Sequence, residues 1–331
     1  MAGRVERLSE DRRGGSVRRT SSIDIEALAA DPATLRFSGR SRDALTRNPG
    51  APPTPIARAL VRATVSAGVV DSLSVHPHVP GADQLVGKRL AVGFRTAIWR
   101  NLREEYDAGT PLHALLDELP GAHVISGFAV RRLAAQAGPA TAVRPGVRRL
   151  DVCAGWAADS EAAAEYRATG QSPPPLAMPL APPRPAVGAD AAGWHTLAPL
   201  RPGSMSRRRR LDVWLDGAAG IRVDAVFRDV FCDDDGAERT LHEYAVQALV
   251  DAATHEVQAI EATPVLLPHT ECPSTAGTAQ AMISAPVRGL RERVSMDLFG
   301  PSCCTHLNDL LRTLADVPVL AAALPAWRPA S

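Results

Sequence analysis

Tyr244–Pro264 reads YAVQALVDAATHEVQAIEATP, and Ala57–Pro77, far upstream, reads ARALVRATVSAGVVDSLSVHP. Each is two runs of alternating apolar and polar residues about a short turn, Ala252-Ala253-Thr254-His255 in the second copy. That period-two pattern is the signature of paired antiparallel strands. The likeness extends outward in both directions and in the same order. VRRTSSIDI (17–25) matches RRRRLDVWL (207–215), and LRFSGRSRDAL (35–45) matches IRVDAVFRDVF (221–231), which sets Arg42-Asp43 on Arg228-Asp229. QLVGKRLAVGFRTAI (84–98) matches AMISAPVRGLRERVS (281–295), and LHALLDELPGAHVISGFAV (112–130) matches LNDLLRTLADVPVLAAAL (307–324). The offset drifts between about 185 and 197, as loops of unequal length would make it.

The pattern predicts an α+β fold built as a tandem duplication. Each half is an antiparallel sheet covered on one face by helices. In the second half, strands are expected over Arg210–Leu215, Ile221–Cys232, Tyr244–Asp251 and Glu256–Ala262. Helices are expected over Ser274–Ile283, Val287–Leu298 and Thr305–Leu314, with Ser274 after Pro273 as an N-cap. Leu290, Val294 and Leu298, then Leu307, Leu310, Leu311 and Leu314, carry the helical spacing. The domains divide as a disordered tail (1–16), a degenerate first repeat (17–135), a Pro/Ala-rich linker (136–205) with short ordered islands at 151–156 and 193–195, and a second repeat (206–326) carrying the Cys/His site.

Composition bounds the function. The 331 residues are 45% hydrophobic, enough for a substantial core, and the net charge of +1 gives no global field to recruit nucleic acid. The positive charge is arginine but for Lys88, a codon bias rather than a phosphate-binding signature. Arg207-Arg208-Arg209-Arg210 reads as solvated charge at a strand start, with a basic patch as the competing reading. No apolar run has the length of a membrane span, and the N-terminus lacks the apolar core of a secretory signal. A cytoplasmic location, free thiols and a small-molecule or protein partner are the expectations.

The five cysteines are not spread evenly: Cys303-Cys304-Thr305-His306 places two beside a histidine at the start of the last helical pattern. His242 on a strand, Cys272 in the strand–helix loop, and Cys304 and His306 at a helix start form a candidate metal set of the kind a tetrahedral Zn²⁺ uses. Positions i and i+2 of a helix do not share a face, so Cys304 must precede the helix to ligate with His306. A helix N-terminus also lowers a thiol's pKa, which makes Cys303 or Cys304 a candidate reactive thiol. Glu243 and Glu271 are the candidate bases if the site is hydrolytic, and Cys153 is a candidate extra thiol. The cofactor options are Zn, an iron–sulfur cluster or none. Metal-dependent hydrolase or lyase, cluster or persulfide handling, and a non-catalytic binding or assembly module with Cys and His buried for packing all remain open. In the first half Gly109-Thr110-Pro111 replaces the Cys-Thr-His run and nothing replaces Cys272, so one site per chain is expected. His76-Pro77-His78 and Asp233-Asp234-Asp235-Gly236 read as an exposed loop and a hairpin turn.

These residues resemble an uncharacterised bacterial domain family of unknown function. Its members carry a His near a strand start, a Pro-x-x-x-Cys turn and a terminal Gly-Cys-Thr-His-Leu run, matched here by His242, by Pro268 and Cys272, and by Cys303–Leu307. Cys303 departs from the family's Gly, and His242-Glu243-Tyr244 departs from its His-Asp-Met triplet. The order of elements is also distantly similar to that of U-type iron–sulfur cluster scaffold proteins. That similarity implies Zn²⁺ or a nascent cluster at the equivalent positions.

Overall fold

The alternating stretches form hairpins, and the hairpins join into one sheet. The structure is a computed structural model that describes residues 11–28, 31–91, 93–137, 150–181, 191–217 and 220–325. The first half contributes strands β1 (Ser16–Leu28), β2 (Asp31–Thr46), β3 (Thr54–Ser66) and β4 (Val69–His76), then helices α1 (Phe94–Asn101), α2 (Arg103–Ala108) and α3 (Pro111–Ala137). Helix α4 (Glu161–Thr169) follows. The second half supplies β5 (Met205–Asp216), β6 (Gly220–Cys232), β7 (Glu238–Asp251) and β8 (Val257–Leu266). A 3₁₀ run (Cys272–Met282) and helices α5 (Leu290–Asp297), α6 (Thr305–Thr313) and α7 (Val317–Ala322) complete it.

All eight strands lie in one antiparallel sheet of order β4-β3-β2-β1-β5-β6-β7-β8. The halves are therefore fused at β1–β5, in register from Ser16↔Trp214 to Ile25↔Met205. The same devices recur at matching positions. β2–β3 is bulged after Asp43, and β6–β7 after Asp229. Isolated bridges tie Val69 to Arg89 and Glu256 to Pro286. The hairpin residues Ala67 and His255 both take positive φ, 49° and 58°.

Strand parity explains which residues face the helices. Val17, Arg19, Ile23 and Ile25 of β1 and Met205, Arg207, Leu211 and Val213 of β5 point to that side. Their apolar members pack into two clusters, and these cross the seam. Val17 and Leu45 join the second-half core, while Met205, Phe231 and Leu241 join the first-half core.

Several expectations are corrected here. The four arginines 207–210 form neither a solvated strand start nor a surface patch. All are buried and ion-paired: Arg207 to Asp229 at 2.8 Å, Arg208 to Glu238 at 2.8 Å, Arg209 to Glu118 at 2.5 Å, and Arg210 to Asp212. Both faces of the central strands are covered, so a charge there requires a partner. The opposite face is covered by residues of the 136–205 segment, among them those named as an ordered island at 193–195. Trp194 packs on Val226 and Ala245, and His195 spans Thr20 Oγ1 (2.9 Å) and Ser22 Oγ (2.8 Å) on β1. Within the same segment Ser160 caps α4, accepting a hydrogen bond from the Ala163 N–H. The tail expected over 1–16 lies partly outside the described residues. Arg12, however, is buried and donates to the carbonyls of Ala51 and Pro49, and Ser16 opens β1. Ser274 is not an N-cap, because Glu271 occupies that position and no side chain caps the 3₁₀ run. Asp233–Gly236 is the expected hairpin turn, closed by Asp233 N–H to the Ala237 carbonyl at 2.8 Å.

Candidate metal centre

His242 lies inside β7 rather than at its start, and a bulge aims it. Asp229 pairs with His242 across β6–β7, whereas Val230 pairs with Thr240, which leaves Leu241 as the extra residue. Bulges of this kind re-aim a side chain. Here the bulge sets His242 beside Asp229 on the helix-facing side of the sheet. His306 is the second residue of α6. Cys304 precedes that helix as its N-cap, with extended backbone at φ −119° and ψ 120°.

The three groups meet below the helix start. His242 Nδ1 is 3.2 Å from Asp229 Oδ2, and His306 Nε2 is 3.9 Å from the same oxygen. The two imidazoles stack, 4.0 Å between centroids and 19° apart, and Phe227 stacks on the far side of His306 at 6.1 Å. One ligand atom from each of Asp229, His242 and His306 lies within 4.8 Å of the others, which no other trio of His, Cys, Asp or Glu achieves among the described residues. His242 Nδ1 and His306 Nε2 are buried without a hydrogen bond of normal geometry, Nδ1 facing Asp229 Oδ2 at 3.2 Å. Asp229 is fully buried and held in a two-point grip by Arg207, with Nε on Oδ1 at 2.8 Å and Nη2 on Oδ2 at 2.9 Å. Burial opposes its charge, but Arg207 and then His242 keep its carboxyl well below the usual carboxylate range. Burial, then His242 and Arg207, hold His306 well below the usual histidine range, so its ring is neutral and its free nitrogen can act as a ligand.

A cavity of about 120 Å³ opens beside this trio. Its floor carries His242 and His306, its walls Cys153, Cys272, Cys303, Cys304, Trp156 and His269. Apolar residues of α3, namely Val124, Ile125 and Phe128, close one side, and Pro173 and Pro175 another. Segment 151–156 docks over it, with Ala154 N–H on the Cys303 carbonyl at 2.9 Å and Trp156 edge-on to His269 at 5.8 Å. Gly155 has no room for a side chain, since a Cβ there would lie 2.7 Å from Cys272 Sγ.

The expected set of His242, Cys272, Cys304 and His306 therefore lines one cavity, but its two histidines converge on Asp229 rather than on the two sulfurs. The expected acidification of the helix-start thiol is reversed. Burial outweighs the hydrogen bonds from the Leu307 and His306 N–H groups and raises Cys304. Burial likewise pushes Cys153 and Cys272 up to about 12 and raises Cys303. Cys303 donates to the Gly300 carbonyl at 3.2 Å. Neither candidate base faces the cavity: Glu243 is tied to Arg228 at 2.8 and 3.0 Å on the other side of the sheet, and Glu271 accepts from the Glu161 N–H at 2.8 Å. Asp229 and Arg207 were missed. The one signal, for Asp229 alone, was the Arg-Asp pair repeated in the two halves.

In the first half, Arg19 grips Asp43 at 2.6 Å as Arg207 grips Asp229; the structure thus corrects two of the sequence matches by two residues, setting Arg19 on Arg207 rather than Arg209 and Ala57 on His242 rather than Tyr244. Ala57 pairs with Asp43 where His242 would stand, and Pro111 opens α3 where the matching helix carries His306.

Residues 205–320 match a family model described as "Protein of unknown function (DUF2889)". No curated protein and no solved structure matches the chain.

Proposed function

We propose that this chain, whose residues 205–320 belong to a family without an assigned activity, binds one divalent transition-metal ion through Asp229, His242 and His306. The ion would act on a small molecule in the adjoining cavity, as the metal of a hydrolase or lyase. The observation that carries this reading is the pair of buried imidazole nitrogens without hydrogen bonds, both aimed at one buried carboxylate oxygen. A buried polar nitrogen left unpaired costs about 1–3 kcal/mol, and a metal relieves two at once. Two histidines and a carboxylate are a recurrent catalytic donor set for Zn²⁺ and Fe²⁺, and three protein ligands leave a position for water or substrate. Such an ion polarises a substrate oxygen or generates hydroxide near neutral pH. With Glu243 and Glu271 directed elsewhere, His269 is the cavity group suited to carry a proton, because burial holds it below the usual histidine range and hence neutral.

A second reading rests on Cys153, Cys272, Cys303 and Cys304 sharing the cavity wall. In it the ion is soft and thiolate-bound, as in cluster or persulfide handling. Elemental analysis and Co²⁺ loading separate the two. The first predicts about one metal per chain, lost in Asp229→Asn, His242→Ala and His306→Ala and retained in Cys272→Ser and Cys304→Ser, with Co²⁺ giving ligand-field bands and no sulfur-to-cobalt charge transfer. Metal retained by all three of the first variants, or absent from a wild type that also binds none on titration, would overturn it.

A further inference from the structure

Arg207 does more than neutralise Asp229. Its remaining nitrogen, Nη1, donates to Asp309 Oδ2 at 2.9 Å. The other oxygen of Asp309 accepts from Arg95 Nη2 at 2.6 Å, and Arg95 lies on α1 of the first half, one-third exposed. The guanidinium of Arg207 also sits over the Phe227 ring at 5.4 Å, the ring on which His306 stacks. One side chain thus fixes both the carboxylate and the support of a histidine. Helix α3 closes on this chain from the first half. A Cβ at Gly121 would collide with Arg207 Nη1 and Asp309 Oδ2, so glycine there lets the helix press against the pair.

Building on the metal reading above, we propose that Arg207 is a positioning residue. Together with Asp309, Arg95 and the Gly121 contact, it fixes the aim of Asp229 Oδ2 at His242 and His306, and so makes the first half an outer shell of a site it does not contain. Groups that orient metal ligands from behind commonly contribute 10- to 100-fold to affinity. The matching pair Arg19–Asp43, with Arg19 on Asp316 at 2.8 Å, faces Ala57 across the strand where the second half has a histidine, and supplies an internal control for a purely structural role.

The experiment titrates Co²⁺ into the metal-free full-length chain and records affinity, visible spectrum and melting temperature. Arg207→Gln and Arg19→Gln are both expected to lower the melting temperature. Arg207→Gln alone is expected to weaken Co²⁺ binding about 10- to 100-fold and to shift the ligand-field bands. Arg207→Lys, which keeps the charge but loses the fork, should not restore them. Should Arg207→Gln not fold, Gly121→Ala and Arg95→Gln test the same chain from its far side, each with a several-fold loss and a band shift. A folded Arg207→Gln with wild-type affinity and spectrum overturns the proposal. So does an equal loss in Arg19→Gln, or unchanged binding in both Gly121→Ala and Arg95→Gln. A wild type that binds no Co²⁺ removes the metal reading itself, whereas wild-type binding with unaffected variants removes only this one.

Discussion

His195 and His113 are sealed into the protein as neutral rings, for different reasons. His195 bridges two β1 hydroxyls on the outer face of the sheet. Burial, helped by Arg42, Arg40 and Arg208, pushes its pKa down to about 3. His113, in the first turn of α3, is driven down to about 4 by burial and then by Arg291. An unfolded histidine takes up its proton near pH ~6.5, so between that value and the folded pKa the unfolded chain binds more protons. Stability is then complete above pH ~6.5 and is lost as the pH falls toward the folded values, with a slope approaching about 1.4 kcal/mol per pH unit for each histidine. Urea unfolding at pH ~7, ~6 and ~5 should show a falling midpoint, flattened in His195→Gln; equal midpoints would contradict neutral burial. At this scale the sequence was legible where residue chemistry is rare. Cys303, Cys304, His306 and His242 stood out and do line the cavity. Asp229 and Arg207 did not, because a charged residue in a strand reads as solvent-facing until both faces of that strand are known to be covered. The thiol pKa was misjudged for the same reason, since burial outweighs the helix start.

The bulge at Leu241 is the element-scale device on which the site depends. Upstream of it, β7 pairs Thr240 with Val230; downstream, His242 pairs with Asp229. Side chains alternate faces with period two, so losing one residue moves everything on one side of the deletion to the opposite face. Deleting Leu241 leaves the strand two poor choices. Either His242 leaves Asp229, or the Glu238–Thr240 stretch reverses and Glu238 loses Arg208. The first abolishes metal binding; the second keeps it and lowers stability through the lost Arg208–Glu238 pair. The matching deletion of Ile56, the extra residue where Asp43 pairs with Ala57 and Ala44 with Pro55, should leave binding intact while lowering stability. Equal loss of metal in both would show that the bulge acts only through global stability. The hairpins themselves were legible, since alternation about Thr254-His255 and Ala67-Gly68 marks strands and turn directly. The bulges were not, because one extra residue disturbs a period-two pattern no more than a conservative substitution does. Helix α4 was also hidden, in an alanine- and proline-rich stretch that reads as linker, although Ser160 before Glu161 is a recognisable cap.

The scale of the whole molecule decides whether the halves are independent. Their sequences suggest that they are, each carrying its own strands, helices and apolar pattern. The β1–β5 seam says otherwise. Each half would leave a central strand as a bare edge, with unpaired N–H and C=O groups along β1 or β5. Buried charges cross the seam as well. Arg18 pairs with Asp212 at 2.6 Å, Arg19 with Asp316 at 2.8 Å, Arg209 with Glu118 at 2.5 Å and Arg312 with Asp117 at 2.7 Å. All of these cross from one half to the other. Removing one partner of a buried pair costs about 3–5 kcal/mol, and separating the halves would do so at several places at once, against a domain stability of about 5–15 kcal/mol. The seam escapes a reading of sequence because strand alternation shows which face is buried and not which edge is paired. The chain should therefore unfold in a single transition, with calorimetric and van't Hoff enthalpies equal. A fragment spanning 205–325, the matched family domain with its last helix, should show neither a cooperative melt nor dispersed amide resonances when expressed alone. Coexpression with residues 11–137 should recover both, because the missing strand, the closing helix and the cross-seam charge partners Arg18, Arg19, Asp117 and Glu118 would return together. Two separate transitions in the intact chain, or a folded 205–325 fragment that binds metal as the whole chain does, would show instead that the first half is dispensable to the fold.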